Sequence, residues 1–142
     1  LSKPDELRAA IVAEARTWTG TPYRWCADIK GVGVDCLMLL VRVYQGVGLV
    51  PADFDPRPYN PRWHLHRSEE LYLQGIERFA HRVERAQPGD IEVYRFGKTA
   101  SHAGIVIDDE LMIHSHAEHL NTELFERRTI EHRLDSAWSL IP

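Results

Sequence analysis

Only two of the 142 residues are cysteine, too few for the disulfide framework that staples small secreted folds. Cys26 and Cys36 could pair in an oxidising compartment, but nothing in their spacing demands it, and no CxxC is present. No window approaches the run of about 18 apolar residues that reads as a membrane span. A basic excess is lacking too. The formal net charge is −4 and the pI is near 6.1, which argues against the basic face a nucleic-acid binder presents. The opening residues, LSKPDELRAA, do not follow the charged-then-apolar order of a secretory signal. The eight histidines fall in no familiar zinc spacing, so neither a metal nor another cofactor is expected. Internal repeats and low-complexity tracts are absent.

What is present reads as one globular domain spanning residues 1–142, with 44% apolar and 27% charged residues. Ser2-Lys3-Pro4-Asp5 has the signature of a helix start. Leu7, Ile11, Ala15 and Trp18 then share one helical face, and Gly20-Thr21-Pro22 closes it. After a loop-like stretch over residues 24–36, a second helix is expected from about Asp35 to Tyr44, apolar nearly all round, with Gly46 just beyond. Residues 51–63, PADFDPRPYNPRW, hold four prolines and form an ordered loop extending to about residue 67. A third helix is expected over residues 68–83. From Pro88 the segments DIEVYRF, HAGIVID, LMIHSH, TELFERR and AWSLIP read as strands. Helices first and strands second imply an α+β domain with helices on one face of an antiparallel sheet.

Cys36 opens the buried second helix. A helix N-terminus stabilises a thiolate through free N–H groups and the positive end of the dipole. Inert buried cysteines are also common. A nucleophilic thiol needs a histidine to exchange its proton, and that histidine needs an orienting partner. With Asp108-Asp109-Glu110 as a three-residue hairpin loop, Ile107 pairs with Leu111, and Gly104 lies opposite His114. Alternation then puts His102, Gly104, Val106, Met112, His114 and His116 on one face and Ala103, Ile105, Ile107 and Ile113 on the other. His102 and His114 become diagonal neighbours, about 7–8 Å apart at Cα. Val106 and Met112 are expected to pack against the Cys36 helix. A two-residue loop would separate the histidines, so the pairing depends on register. A single His on an apolar face is more often a satisfied core residue, and His114, His116 and His119 as metal ligands is a weak alternative. His64, His66, His81, His119 and His132 are assigned to surface or loop.

Taken together, GTPYRW…GVGVDC, QPGDIEVYRFG and SHAGIVIDDELMIH resemble the NlpC-type cell-wall peptidases, a circularly rearranged branch of the papain-like cysteine peptidases. The resemblance covers nearly the whole chain and implies a papain-like fold with N-terminal helices packed on an antiparallel, partly barrel-like sheet. It implies Cys36 as nucleophile, His102 as general base and His114 as its orienting residue. It further implies Tyr23 as a contributor to the oxyanion site and Asp35 as a holder of the substrate's free amine. The implied substrate is the peptidoglycan stem peptide, at the bond from D-glutamate to the diamino acid. The Pro-rich loop and short ending look most like the branch found with phage tails and gene transfer agents. Tail-tip or baseplate partners and a place in a phage-like particle are therefore expected, and the absence of a signal sequence fits such delivery. A structural tail component without turnover, and a thiol amidase or acyltransferase, are the alternatives. Met38 stands where relatives usually carry a small residue, and Cys26 adds a second thiol. The aromatic loop with Tyr59 and Trp63 is expected to be an exposed protein contact.

Overall fold

The computed structural model describes residues 2–59, 71–97 and 99–142. Helix α1, Lys3–Arg16, starts where Ser2 accepts a hydrogen bond from the Asp5 N–H, with Asp5 and Glu6 in its first turn. Ile11, Ala15 and Trp18 are buried, and Leu7 packs partly against them. The helix ends at Arg16 rather than at Gly20; turns carry the chain from there to Thr21.

The stretch 24–36 is not all loop. It contains a two-stranded hairpin, β1 (Asp28–Ile29) and β2 (Gly33–Val34). Strands this short have no periodicity to read. Helix α2, Cys36–Gly46, follows at once with Asp35 as its N-cap. Met38, Leu39, Leu40, Val41, Val43 and Tyr44 are buried, as the uninterrupted apolar run requires. Gly46 is the last helical residue rather than the residue beyond. Met38 is fully buried in the core, so its bulk packs the interior instead of narrowing a cleft. Residues 51–59 form no helix or strand, and the rest of the Pro-rich loop lies outside the described residues.

The third helix expected over 68–83 is shorter. Its opening residues lie outside the described residues; helix α3 spans Leu71–Glu77, and His81–Val83 is a strand, β3. There follow β4 (Ile91–Phe96), β5 (Thr99–Val106), β6 (Leu111–His116), β7 (Asn121–Glu126) and β8 (Leu134–Ser139). The six strands from β3 on make one antiparallel sheet in the order β3-β8-β4-β5-β6-β7. The sheet is open, with β3 and β7 as its edges, and does not close into a barrel.

The helices cover the face that carries Val93, Ala103, Ile105 and Ile113. Val106 and Met112 do not meet α2. They lie on the opposite face, Val106 with Ala86 and Ala137, Met112 with Tyr94 and Ile130. Both faces of the central strands are apolar, so alternation alone cannot tell which one the helices take.

The Pro88-Gly89-Asp90 turn fastens the helices to the sheet. Gly89, at φ +89°, offers its carbonyl to the Tyr44 hydroxyl at 2.7 Å. Asp90 is 1% exposed and accepts from Arg8 Nη1 at 2.8 Å and from the Gln87 N–H at 2.9 Å. Removing that carboxylate leaves the Gln87 amide without its acceptor and the Arg8 guanidinium with only the Pro88 carbonyl at 3.0 Å and no counter-charge there. Asp90→Ala is expected to lower unfolding free energy by about 2–3 kcal/mol, measured by urea denaturation; a loss within error of zero would show that the turn is only a turn.

Candidate active site

Asp35 organises the start of α2. Its Oδ1 accepts from the Met38 N–H at 2.8 Å, capping the helix. Its Oδ2 accepts from the Cys26 N–H at 2.8 Å and from the Tyr59 hydroxyl. At 1% exposure the carboxylate serves three segments at once. Burial raises its pKa, while the bonds from Tyr59, Met38, Cys26 and Leu37 work against the rise. Tyr59 is therefore not an exposed contact residue: its hydroxyl turns inward to Asp35, and its ring meets Trp25 edge-on at 4.9 Å. Trp63, His64 and His66 lie outside the described residues.

Cys36 is the first residue of α2 and 9% exposed. A first-turn residue presents its backbone N–H at the open N-terminal end of the helix. Cys26 and Cys36 are not joined in a disulfide. Cys26 sits at φ +60°, a costly conformation for a residue with a side chain. It is held there by its N–H on Asp35 and by Arg57 Nη1 on its carbonyl at 2.9 Å. Tyr23 is half-buried, and its backbone bridges to Val34. Burial raises its pKa first, and the neighbouring Cys36, Asp35 and Cys26 side chains raise it further. The hydroxyl therefore stays protonated, a donor within electrostatic reach of the cysteine.

On the sheet, the hairpin register is the one expected. Ile105 pairs with Ile113 and Val106 with Met112, and Asp108 Oδ1 caps the loop by accepting from the N–H groups of Glu110 and Leu111. His102 and His114 meet, with Nε2 of the first 2.8 Å from Nδ1 of the second. His116 joins the group, its ring 5.5 Å from that of His102 and 5.0 Å from that of His114. Gly104 makes room for Met112, whose sulfur would lie 2.7 Å from an added Cβ. Phe96 stands edge-on to His102 at 5.6 Å, and Phe125 lies against His114 at 4.4 Å. His81 and His132 are exposed, as assigned. His119 is not an isolated surface group; its ring stacks at 4.5 Å on His116, and its Nδ1 lies 2.6 Å from Glu123 Oε2. Among the described residues no group of three His, Cys, Asp or Glu side chains is arranged to hold a metal.

Backbone stitches join the two halves of the site. Gly20 N–H donates to Thr122 O, Thr122 N–H to Thr21 O and Tyr23 N–H to Leu120 O. The Ser115 hydroxyl, between His114 and His116, donates to Val34 O at 3.0 Å, two residues ahead of Cys36. With Nε2 of His102 taken by His114, Nδ1 is the nitrogen left for a thiol. A cavity of about 890 Å³ opens on the face of the sheet opposite α1 and α2, with Tyr94, Glu92 and Arg127 in its lining. It adjoins the histidines through Tyr94, whose ring lies 6.4 Å from that of His102.

Burial, and secondarily the charge of His116, lowers the pKa of His102 from 6.5 to about 3. Burial and the neighbouring histidines lower that of His114 to about 2. Both rings are neutral at pH 7. A folded-state pKa below the unfolded value means that the unfolded chain binds more protons between the two. Stability is then complete above about pH 6.5 and falls as the pH drops toward 3. At about pH 4.5, His102 alone contributes a loss of about 2–3 kcal/mol relative to pH 7. His102→Gln is expected to lose that much less than the wild type over the same pH change, read by denaturant titration at both pH values. Equal losses would mean that His102 titrates freely.

The sequence profile of the NlpC/P60 family matches residues 20–139. A Mycobacterium tuberculosis protein named "Probable endopeptidase Rv2190c" is 34% identical over 108 residues, 76% of this chain. The chain spans only 23% of that relative's length. Among solved structures, the NlpC/p60 domain of the peptidoglycan hydrolase SagA aligns with a TM-score of 0.65 at 23% identity, covering 93% of this chain and 97% of that one. The peptidoglycan hydrolase RipB of M. tuberculosis aligns with a TM-score of 0.69 at 15% identity, covering 100% and 69%. At these identities the structures speak for the fold, an α+β arrangement of helices on an antiparallel sheet. The profile spans the Asp35–Cys36 step and both strands of the histidine hairpin, and on that match the chain belongs to the NlpC/P60 family.

Proposed function

We propose that this chain is a cysteine endopeptidase that hydrolyses peptidoglycan stem peptides, with Cys36, His102 and His114 as its catalytic group. The observation that carries the reading is the hydrogen-bonded His102–His114 pair, tied through Ser115 and Val34 to the helix start that bears Cys36, in a chain of the NlpC/P60 family. The relative named an endopeptidase supports it.

In this reading His102 takes the Cys36 proton on Nδ1 as sulfur attacks the peptide carbonyl carbon. The oxyanion is met by the Cys36 N–H and the Tyr23 hydroxyl. Collapse of the tetrahedral intermediate breaks the C–N bond, and the proton on His102 passes to the leaving amine. Water, deprotonated by His102, then attacks the thioester carbonyl, and the thiol departs with the proton restored. His114 holds the His102 ring throughout. A substrate amine would reach Asp35 only by taking the place of the Tyr59 hydroxyl on Oδ2, so amine recognition and the Pro-rich loop would be coupled. Met38, being buried in the core, gives no support to a version of the fold without turnover.

The finer reading is cleavage of the D-glutamyl–diamino acid bond by a hydrolase carried on the tail tip of a phage-like particle, bound to tail or baseplate proteins and acting at the target cell wall. Its support is the likeness of the Pro-rich segment and short ending to that branch of the family.

The deciding measurement is mass spectrometry of fragments released from purified peptidoglycan. The intact chain is expected to generate new stem-peptide ends, Cys36→Ala none, and His102→Ala at least about 1,000-fold fewer. Thiol alkylation should abolish release and chelators should not. A folded wild-type protein that releases nothing from several wall types would overturn the hydrolase reading. Release of a different bond, or particles that lack the chain, would remove only the finer one.

A further inference from the structure

His114 is fully buried, and its Nε2 finds no hydrogen-bond acceptor among the described residues. Oε2 of Glu123 lies 3.5 Å from that nitrogen. Glu123 is the residue directly opposite His114 in the β6–β7 register, so the two side chains share a face. The same oxygen is held by His119 Nδ1 at 2.6 Å. Phe125, two residues along β7, lies against the His114 ring and packs its side.

A neutral imidazole carries one N–H, and the 2.8 Å contact between His102 and His114 holds one proton. Two assignments are possible. In the first, His102 donates from Nε2, so its Nδ1 is a bare lone pair, and His114 carries its own proton on Nε2. In the second, His114 donates from Nδ1, its Nε2 is a lone pair, and the His102 proton moves to Nδ1. Only the first leaves His102 able to accept a proton from a thiol at Nδ1. The second also leaves the lone pair of His114 Nε2 3.5 Å from the Glu123 carboxylate, while the first places an N–H there. The lowered pKa values of both rings fit the single-proton count on each.

We propose that Glu123 is a positioning residue of the active site: it selects the Nε2–H tautomer of His114 and thereby leaves Nδ1 of His102 open as the base. The proposal rests on the reading of His102 as general base, but the tautomer it names can be observed without substrate.

Long-range ¹H–¹⁵N NMR of histidine-labelled protein reads the tautomer, and steady-state hydrolysis of a soluble stem peptide reads its consequence. In the wild type, His114 is expected in the Nε2–H form. Glu123→Ala should lose that preference and lower kcat about tenfold or more, with KM within about twofold. In Glu123→Gln the side-chain oxygen can still accept from Nε2–H, so the tautomer should persist and kcat should stay within about threefold of wild type. An Nδ1–H tautomer in the wild type, or Glu123→Ala with wild-type tautomer and kcat, overturns the proposal. If Glu123→Ala does not fold, the wild-type tautomer and Glu123→Gln still decide. A wild type with the Nε2–H tautomer and no hydrolysis would keep the positioning role and defeat the peptidase reading instead.

Discussion

One buried carboxylate joins the parts of this site that come from the N-terminal half. Asp35 caps α2, pins the left-handed turn at Cys26 and anchors Tyr59 of the Pro-rich segment. Each bond is a modest term alone. Together they fix where the helix begins, and so the place of the thiol that follows. An acceptor without its own proton is needed for three donors at once, which is work an ionised carboxylate does and an amide or hydroxyl does less well. Burial opposes that charge and the donors from Tyr59, Met38, Cys26 and Leu37 support it, so the environment and the bonding act against each other on the same group.

The sheet supplies the complementary half by register. The Asp108–Glu110 loop sets the β5–β6 pairing, and from it the meeting of His102 with His114 follows. The next pairing, β6 with β7, brings Glu123 and Phe125 beside the His114 ring, with the turn residue His119 bonded to Glu123. Ser115 then faces the other way and bonds to Val34. A single strand thus presents His114 and His116 on one side and a tether to the helix layer on the other, as strict alternation allows.

Much of this was legible in the sequence, and the failures have distinct causes. The long apolar run after Cys36 could only be a buried helix, and the length of one hairpin loop was enough to pair two histidines. The strand at His81–Val83 was read as helix because its pairing with β8 is made far along the chain and leaves no local trace. Val106 and Met112 were sent to the wrong side because both faces of the central strands are apolar. Tyr59 looked exposed because a proline-rich context says nothing about where one hydroxyl points. Glu123 was missed although TELFERR was read as a strand. Counting its register across the short turn after His116 would have set it opposite His114.

The stitches between residues 20–23 and 120–122 also bear on when the site comes into being. During synthesis the cysteine and its helix emerge long before the strands that carry the histidines and Glu123. Until those strands are present and paired, the chain lacks the His102–His114 pair, and the Tyr23 N–H lacks its acceptor at Leu120. In the proposed peptidase, chemical competence therefore arrives only with the second half of the fold. A partly made or partly unfolded chain would carry the cysteine without the histidine pair.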